Sequence, residues 1–173
     1  MTQAWTTPVR LHELGRGTLK IRLEPDEAER AAVAKTLGLE SLPALSADLT
    51  LKPWMDGAEI TGRFQAVVEQ ICAVSLDGFE HPLSGEIEVR AVPAGSPQVP
   101  EPTGKEVDYD PEAPDPPDVL EGEAIDLAAY LIEHLALEID PFARKPGVAF
   151  DYTPPDGPES PFAVLAKLKS PEP

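Results

Sequence analysis

A chain of 173 residues with 42% hydrophobic side chains is long and apolar enough to bury one core, which argues against global disorder. The formal net charge of −17 disfavours phosphate backbones and anionic membranes as partners, and the single cysteine rules out an internal disulfide framework. The first residues lack the pattern of a signal peptide, and no stretch approaches the roughly 18 apolar residues of a membrane span. We therefore expect a soluble, cytoplasmic protein with no membrane partner.

The N-terminal third predicts a strand followed by a helix. Thr18 to Leu23 alternates apolar and polar side chains, which is typical of a half-buried strand. Proline and acidic residues over 24–27 then open a helix that runs to Leu37. Gly38 is predicted to end the helix as a left-handed C-cap, with Leu39 placed for the accompanying apolar contact.

The middle of the chain carries the strongest β signal. Leu45 to Lys52 alternates and predicts a second strand, which Pro53 would close. Over Glu59–Val74 the even positions are largely apolar, and a further alternating run covers residues 86–91. Asp77-Gly78 is a hairpin-turn dipeptide, so we predict a long antiparallel hairpin.

Residues 93–118 differ abruptly in composition, with many prolines and acidic side chains. Such a segment cannot bury enough apolar surface to offset its ordering entropy, and we predict a flexible insert. Two interpretations stay open: a solvated spacer, or a binding site for basic protein tails.

Two helices are predicted after the insert. Asp126 caps the first, whose apolar stripe has a spacing of four residues and consists of Leu127, Leu131, Leu135 and Ile139. Pro141 marks its end. The second covers the last apolar segment, Ser160–Lys169, with a Ser cap followed by proline and with lysines in its last turn.

Together these elements predict an α+β fold. We expect a largely antiparallel β-sheet with a long hairpin, packed by two or three helices, and a disordered acidic proline-rich insert. The chain would form a single domain over residues 1–169, with the flexible insert 93–118 within it.

The sequence offers little for catalysis. Cys72 shares the parity of the apolar strand positions, so a buried inert thiol is favoured over a nucleophile. His12, His81 and His134 are scattered without metal-ligand spacing, and no phosphate loop, nucleophile elbow or paired carboxylate motif is present. We predict no catalytic residue, no metal, no cofactor and no small-molecule substrate, and hence no enzyme.

Basic side chains on the polar parity of the strands are the candidates for RNA contact. The candidate set is Lys20, Arg22, Arg63 and Arg90, with Lys52 nearby in the pattern. They would gather on the solvent face of one sheet, but acidic residues share that face, and cross-strand charge pairing is the favoured alternative.

Three segments resemble one family in the same order. They are the hairpin Val67–Leu76 with its cysteine, the capped helix Ala124–Leu137, and the terminal Ser160-Pro161-Phe162-Ala163-Val164-Leu165-Ala166-Lys167-Leu168-Lys169. The chain resembles the YceD family, the large ribosomal RNA subunit accumulation proteins, from about residue 8 to 169. That family typically ends on Asn-Pro-Phe-Ala-x-Leu-x-x-Leu-Lys, and here Ser160 stands in place of the Asn.

The resemblance implies a non-enzymatic factor that supports accumulation, processing or stability of 23S ribosomal RNA. Its partners would be ribosomal proteins, assembly factors or a pre-ribosomal particle; the alternative is a protein that binds or processes RNA directly through a local basic patch. The family commonly carries Cys-x-x-Cys at the hairpin, whereas this chain has Cys72-Ala73-Val74-Ser75. With one thiol, a zinc site of several thiolates cannot be built within the monomer.

The terminal segment has two possible roles. Self-docking on the sheet or on the preceding helix is favoured over service as a partner-binding motif. For the partner-binding role the candidate residues are Phe162, Leu165, Lys167 and Lys169.

Overall fold

The computed structural model describes residues 5–99 and 116–153. The elements in chain order are β1 (Pro8–Arg10), a 3₁₀ helix (Leu11–Arg16), β2 (Leu19–Leu23), α1 (Glu27–Leu37), β3 (Ser41–Trp54), β4 (Gly57–Ile71), β5 (Gly78–Pro93), β6 (Asp118–Leu120), β7 (Ala124–Asp126) and α2 (Leu127–Glu138). Five strands form one sheet in the order β2-β3-β4-β5-β6, antiparallel except for the parallel pair β5 and β6. Strands β1 and β7 form a separate antiparallel pair. The predicted α+β class and its long hairpin, β4–β5, are confirmed.

Helix α1 begins at the end of the predicted segment 24–27 and ends at Gly38 as predicted, but Pro25 lies before the helix rather than in its first turn. Asp26 is the N-cap and accepts the backbone N–H of Glu29 at 2.8 Å, while the Glu29 side chain accepts the N–H of Asp26 at 2.8 Å. This reciprocal capping box satisfies two N–H groups that a helix start leaves unpaired. Gly38 ends the helix with φ of 70°, and the N–H of Leu39 donates to the carbonyl of Ala34 at 3.0 Å.

Strand β3 is longer than predicted and contains the proline that was expected to close it. Pro53 pairs with Ala58 of β4, and the strand continues to Trp54. Its other neighbour, β2, pairs only with Ala47–Leu51. No residue of β2 therefore lies opposite Pro53 to accept a hydrogen bond from its backbone nitrogen. Because proline has no N–H to donate, it is tolerated at this unpaired edge of the strand.

The hairpin β4–β5 provides the centre of the core, and its turn differs from the prediction. Ile60, Phe64 and Val68, all even-numbered residues of β4, are buried as the alternation predicts. Strand β4 ends at Ile71 rather than at residue 74, and Gly78 is already the first residue of β5. The connection is thus the longer loop 72–77, not a two-residue turn at Asp77-Gly78.

Helix α2 is fixed at its start by one side chain. Asp126 accepts the N–H of Ala128 at 3.1 Å as the N-cap and the N–H of Thr7 at 2.8 Å, next to the β1–β7 pair. The helix packs across β5 on the inner face of the sheet. Its predicted apolar stripe is fully buried at three of the four positions, Leu127, Leu131 and Leu135.

The two ends of the predicted insert belong to ordered structure. Pro93 is the last residue of β5, and Asp118 is the first residue of β6. Between them, Ser96 is buried and its hydroxyl donates to Asp56 Oδ1 at 2.8 Å. Residues 100–115 of the insert, and the whole predicted terminal helix, lie outside the described residues.

Candidate functional site

The basic residues predicted to contact RNA lie on one face of the main sheet. Lys20 and Arg22 are on β2, Arg63 is on β4 and Arg90 is on β5. The register brings them to the same side, because each occupies the parity opposite to the buried residues of its strand. The structure therefore brings the four together on the solvent face, which we call the charged face.

The charged face consists of cross-strand rows in which the sign of charge alternates. One row runs across four strands, from Arg22 to Asp48, then to Arg63, then to Glu86. The Arg22 Nη1 atom lies 3.4 Å from Asp48 Oδ2, and the Arg63 Nη2 atom lies 2.8 Å from Glu86 Oε1. Each arginine thus has a carboxylate directly opposite, which is the charge pairing that the sequence favoured.

Arg22 has a second carboxylate partner. Its Nε donates to Glu24 Oε1 at 2.7 Å, and this hydrogen bond is the main reason that the pKa of Arg22 is raised above its ordinary value. The side chains of Arg22 and Glu24 are 60% and 61% exposed, so water screens the pair. The pair therefore neutralises the local charge of Arg22 but contributes little to the free energy of unfolding.

A second row is more deeply placed. Lys52 of β3 faces Glu59 of β4, and Glu59 faces Arg90 of β5. The Arg90 Nη2 atom lies 3.2 Å from Glu59 Oε1, and the guanidinium carbon lies 5.4 Å from the ring centroid of Trp54. The side chains of Arg90 and Glu59 are only 38% and 23% exposed, so this ion pair is better shielded from solvent than the others. Sequence reasoning missed Trp54, because nothing in its local pattern indicates a stacked cation.

The electrostatic consequence is a mixed face rather than a basic patch. Lys20 pairs in register with the neutral Thr50, while the three arginines have carboxylates within 4 Å. Towards the β4–β5 turn the charged face gives way to neutral rows, Ser46–Gln65–Ser84 and Ala44–Val67–Pro82. Binding of phosphate groups would have to compete with existing ion pairs.

The turn at residues 72–77 is organised around the only cysteine of the chain. Cys72 is fully buried, as predicted, and its Sγ accepts N–H groups from Val74 and Ser75 at 3.4 Å and from Lys145 at 3.3 Å. A hydrogen bond of the Ser75 side chain, followed by the backbone N–H groups of Ser75 and Lys145, lowers the pKa of Cys72 to about 6.

The same turn fixes the segment that follows α2. The N–H of Ala73 donates to the carbonyl of Ala143 at 2.9 Å, which adds to the contact between Lys145 and the thiol. The sequence pattern Cys-x-x-Ser did not predict that Cys72 contacts Lys145, which lies more than 70 residues later in the chain. This contact stabilises the tip of the hairpin by joining it to the chain after the last described helix.

Within residues 5–99 and 116–153, no group of three or more His, Cys, Asp or Glu residues could hold a metal ion. Two of the three histidines have local hydrogen bonds, His81 Nε2 with Gln70 Oε1 at 2.8 Å and His134 Nδ1 with the carbonyl of Tyr130 at 2.9 Å.

No helix in the described part of the chain has the length and hydrophobicity to cross a bilayer. The partner-binding candidates Phe162, Leu165, Lys167 and Lys169 lie beyond the described residues.

Comparison with known proteins identifies one family. No curated protein and no solved structure matches the chain. The family model described as large ribosomal RNA subunit accumulation protein YceD matches residues 60–169, which include most of β4, all of β5, helix α2 and the terminal apolar segment. The match covers more than half of the sequence and agrees with the resemblance carried by its motifs. The chain belongs to the YceD family of large ribosomal RNA subunit accumulation proteins.

Proposed function

We propose that this protein is a non-enzymatic factor in the biogenesis of the large ribosomal subunit. It would support accumulation, processing or stability of 23S ribosomal RNA in the cytoplasm through contacts with ribosomal proteins, assembly factors or a pre-ribosomal particle. The observation that carries the proposal is the family match over residues 60–169. The formal charge of −17 adds support for protein contacts, because such a chain attracts basic proteins and repels bare RNA.

The charged face supports protein contacts over direct RNA binding. Arg22, Arg63 and Arg90 each have a carboxylate neighbour, so neutralising a phosphate there would require breaking an ion pair. Direct RNA binding through Lys20 and these arginines is the alternative function. Filter binding of 23S fragments across a salt series tests it, since phosphate contacts predict an affinity that falls steeply with salt.

The function is tested in a strain that lacks the gene. We expect the ratio of 23S to 16S ribosomal RNA to fall and to recover when the full chain is supplied. A normal ratio in the deletion strain would contradict the proposal. Supplying a chain with Arg63→Glu and Glu86→Arg separates the two functions, because the swap keeps the ion pair and net charge but inverts the local sign. Rescue by this variant is expected for an adaptor; failure of a folded variant would favour RNA contact at Arg63.

The terminal apolar segment has its own test. A chain truncated after Glu159 removes Phe162, Leu165, Lys167 and Lys169 together. A lower melting temperature would indicate that the segment packs on the protein's own core. Unchanged stability with failure to restore 23S levels would instead indicate a partner-binding tail.

A further inference from the structure

Strand β5 has a long edge that no described strand covers. Along one side, residues Gly78–Ala91 pair with β4. Along the other side, only Ala91, Val92 and Pro93 pair, with the short strand β6. Among residues 5–99 and 116–153, no strand pairs with this second side between Gly78 and Arg90. Uncovered strand edges present backbone groups that can pair with another chain.

The hairpin register shows which backbone groups face that edge. The N–H of Cys72 donates to the carbonyl of Asp77 at 2.8 Å, next to the pair Ile71–Gly78. Because hydrogen-bonded and non-hydrogen-bonded pairs alternate in an antiparallel ladder, the even-numbered residues of β5 point their N–H and C=O groups away from β4. Pro82, which has no N–H, is one of these even-numbered residues, so β5 loses no bond to β4 there.

Prolines limit the open edge at both ends. Pro82 removes one outward donor near the hairpin turn. Pro116 and Pro117, just before β6, lack the N–H groups needed to extend that strand backwards along β5. Between these limits the outward groups of Ser84, Glu86 and Glu88 are open, over a length of about 20 Å for residues 84–90.

A groove of about 500 Å³ lies between this edge and helix α2. Its acidic lining residues are Glu88 of β5, Asp118 of β6 and Glu133 of α2. Its apolar lining includes Leu137, which is 77% exposed. The guanidinium of Arg90, which also lines the groove, is already paired with Glu59. A ligand for this groove therefore needs positive charge, some apolar side chains and an extended backbone.

We propose that the open edge of β5 from Ser84 to Arg90 binds an extended, basic segment of a partner protein as an added strand. The backbone of the segment pairs with the outward groups of Ser84, Glu86 and Glu88, which gives affinity independent of sequence. Its side chains alternate, with lysine or arginine towards Glu88 and apolar residues towards Leu137. The net charge of −17 favours encounter with such a segment.

This inference rests on the proposed function, since it specifies the kind of protein contact through which the chain would act. The test uses the full-length protein and a fluorescent peptide of four alternating Lys-Val pairs. Fluorescence anisotropy should detect binding that weakens as salt is added. A peptide with the same sequence but N-methylated at every lysine amide lacks the N–H groups that face the edge in an antiparallel added strand, and it should not bind.

Two matched variants locate the site on β5. Glu88→Pro removes an outward N–H within the open edge, and we expect the dissociation constant to rise at least about tenfold. Glu80→Pro makes the same substitution at an equivalent outward position beyond Pro82, and we expect a change within about twofold. Melting curves verify that both variants fold, as Pro82 itself suggests for outward positions.

Three outcomes would overturn the inference. Equal binding of the N-methylated peptide would mean charge attraction without strand pairing. Unchanged binding by Glu88→Pro would place the peptide elsewhere. If the peptide binds only when Phe162→Ser and Leu165→Ser are introduced into the full chain, the natural occupant of the edge would be the protein's own terminal segment rather than a partner. A chain that fails to bind the peptide but restores 23S levels refutes this inference alone, whereas binding without an effect on 23S levels in a deletion strain refutes the proposed function.

Discussion

Gly85 is required because the ring of Phe64 lies against it inside the sheet. The two residues are cross-strand partners on β5 and β4. A Cβ atom at Gly85 would lie 2.6 Å from Phe64 Cε1 and 2.7 Å from its Cζ, closer than side chains approach one another. Phe64 is 1% exposed, and the close packing of a protein interior resists displacement of its ring. We therefore expect Gly85→Ala to force a rearrangement at the centre of the core.

The magnitude follows from two opposing terms. Overpacking a well-packed core costs about 1–3 kcal/mol. Alanine is favoured over glycine in a strand by about 0.5–1 kcal/mol, which offsets part of that cost. The net loss in the free energy of unfolding should be about 1–2 kcal/mol, measured by urea unfolding followed by tryptophan fluorescence. The control Gly78→Ala, on the same strand, meets only the flexible Glu69 carboxylate at 3.3 Å and should stay within about 0.5 kcal/mol.

A double-mutant cycle decides whether the ring is the cause. Phe64→Leu removes the two ring atoms closest to a new Cβ and leaves only Glu138 Cγ at 3.3 Å, at a cost of its own from the cavity it leaves. In that background Gly85→Ala should cost less than about 0.5 kcal/mol, which corresponds to a coupling of about 1 kcal/mol. An equal cost of Gly85→Ala in both backgrounds, or no cost in the parent chain, would refute the reasoning.

Three further predictions concern the turn, the helix cap and the charged face. The Cys72 thiol should titrate near pH 6, measured by the ultraviolet absorbance of the thiolate with Cys72→Ser as the blank; titration near pH 9 would contradict this. Because the pKa of Cys72 is lower in the folded state, its contribution to stability is present above about pH 9 and is lost as the pH falls through about 6. Asp126→Ala removes the acceptor of two backbone N–H groups and should lower the free energy of unfolding by about 1–2 kcal/mol. Asp126→Asn keeps an acceptor oxygen and should lower the free energy of unfolding by less. Equal losses in the two variants would argue against the capping role. Arg90→Met should lower the free energy of unfolding by about 1 kcal/mol, because it removes a shielded ion pair and the contact with Trp54. Arg63→Met, at an arginine whose side chain is 80% exposed, should leave the free energy of unfolding nearly unchanged. Similar losses for the two variants in urea unfolding would contradict the difference in shielding.

The parts of the fold that the sequence predicts are those whose signal is local. The alternation of β4, the C-cap of α1 at Gly38 and the apolar stripe of α2 each depend on spacings within one element, and each is confirmed. The three-residue strands β1, β6 and β7 carry no such period. They are strands only because of partners far along the chain, such as the pairing of Val9 with Ile125.

The candidate site divides in the same way. Parity alone predicts that Arg22, Arg63 and Arg90 share a face with carboxylates, and the register then decides which charges meet. The cation stacked on Trp54 and the contact of Lys145 with Cys72 depend on tertiary geometry, which no local spacing encodes. Pro53 was misread for a related reason: its effect depends on whether the neighbouring strand extends that far, and β2 does not.

The parallel pairing of β5 and β6 has a consequence for the length of the chain between them. Asp118 pairs with Ala91, so residues 94–117 leave and rejoin the sheet at nearly the same point, on strands that are neighbours. For a connection whose two ends are held this close together, doubling or halving the number of residues changes the closure free energy by only about 0.6 kcal/mol. Insertions and deletions between residues 100 and 115 should therefore be almost neutral for stability during evolution. The same property makes this stretch a suitable position for an inserted epitope or fluorescent reporter that leaves both ends of the chain native.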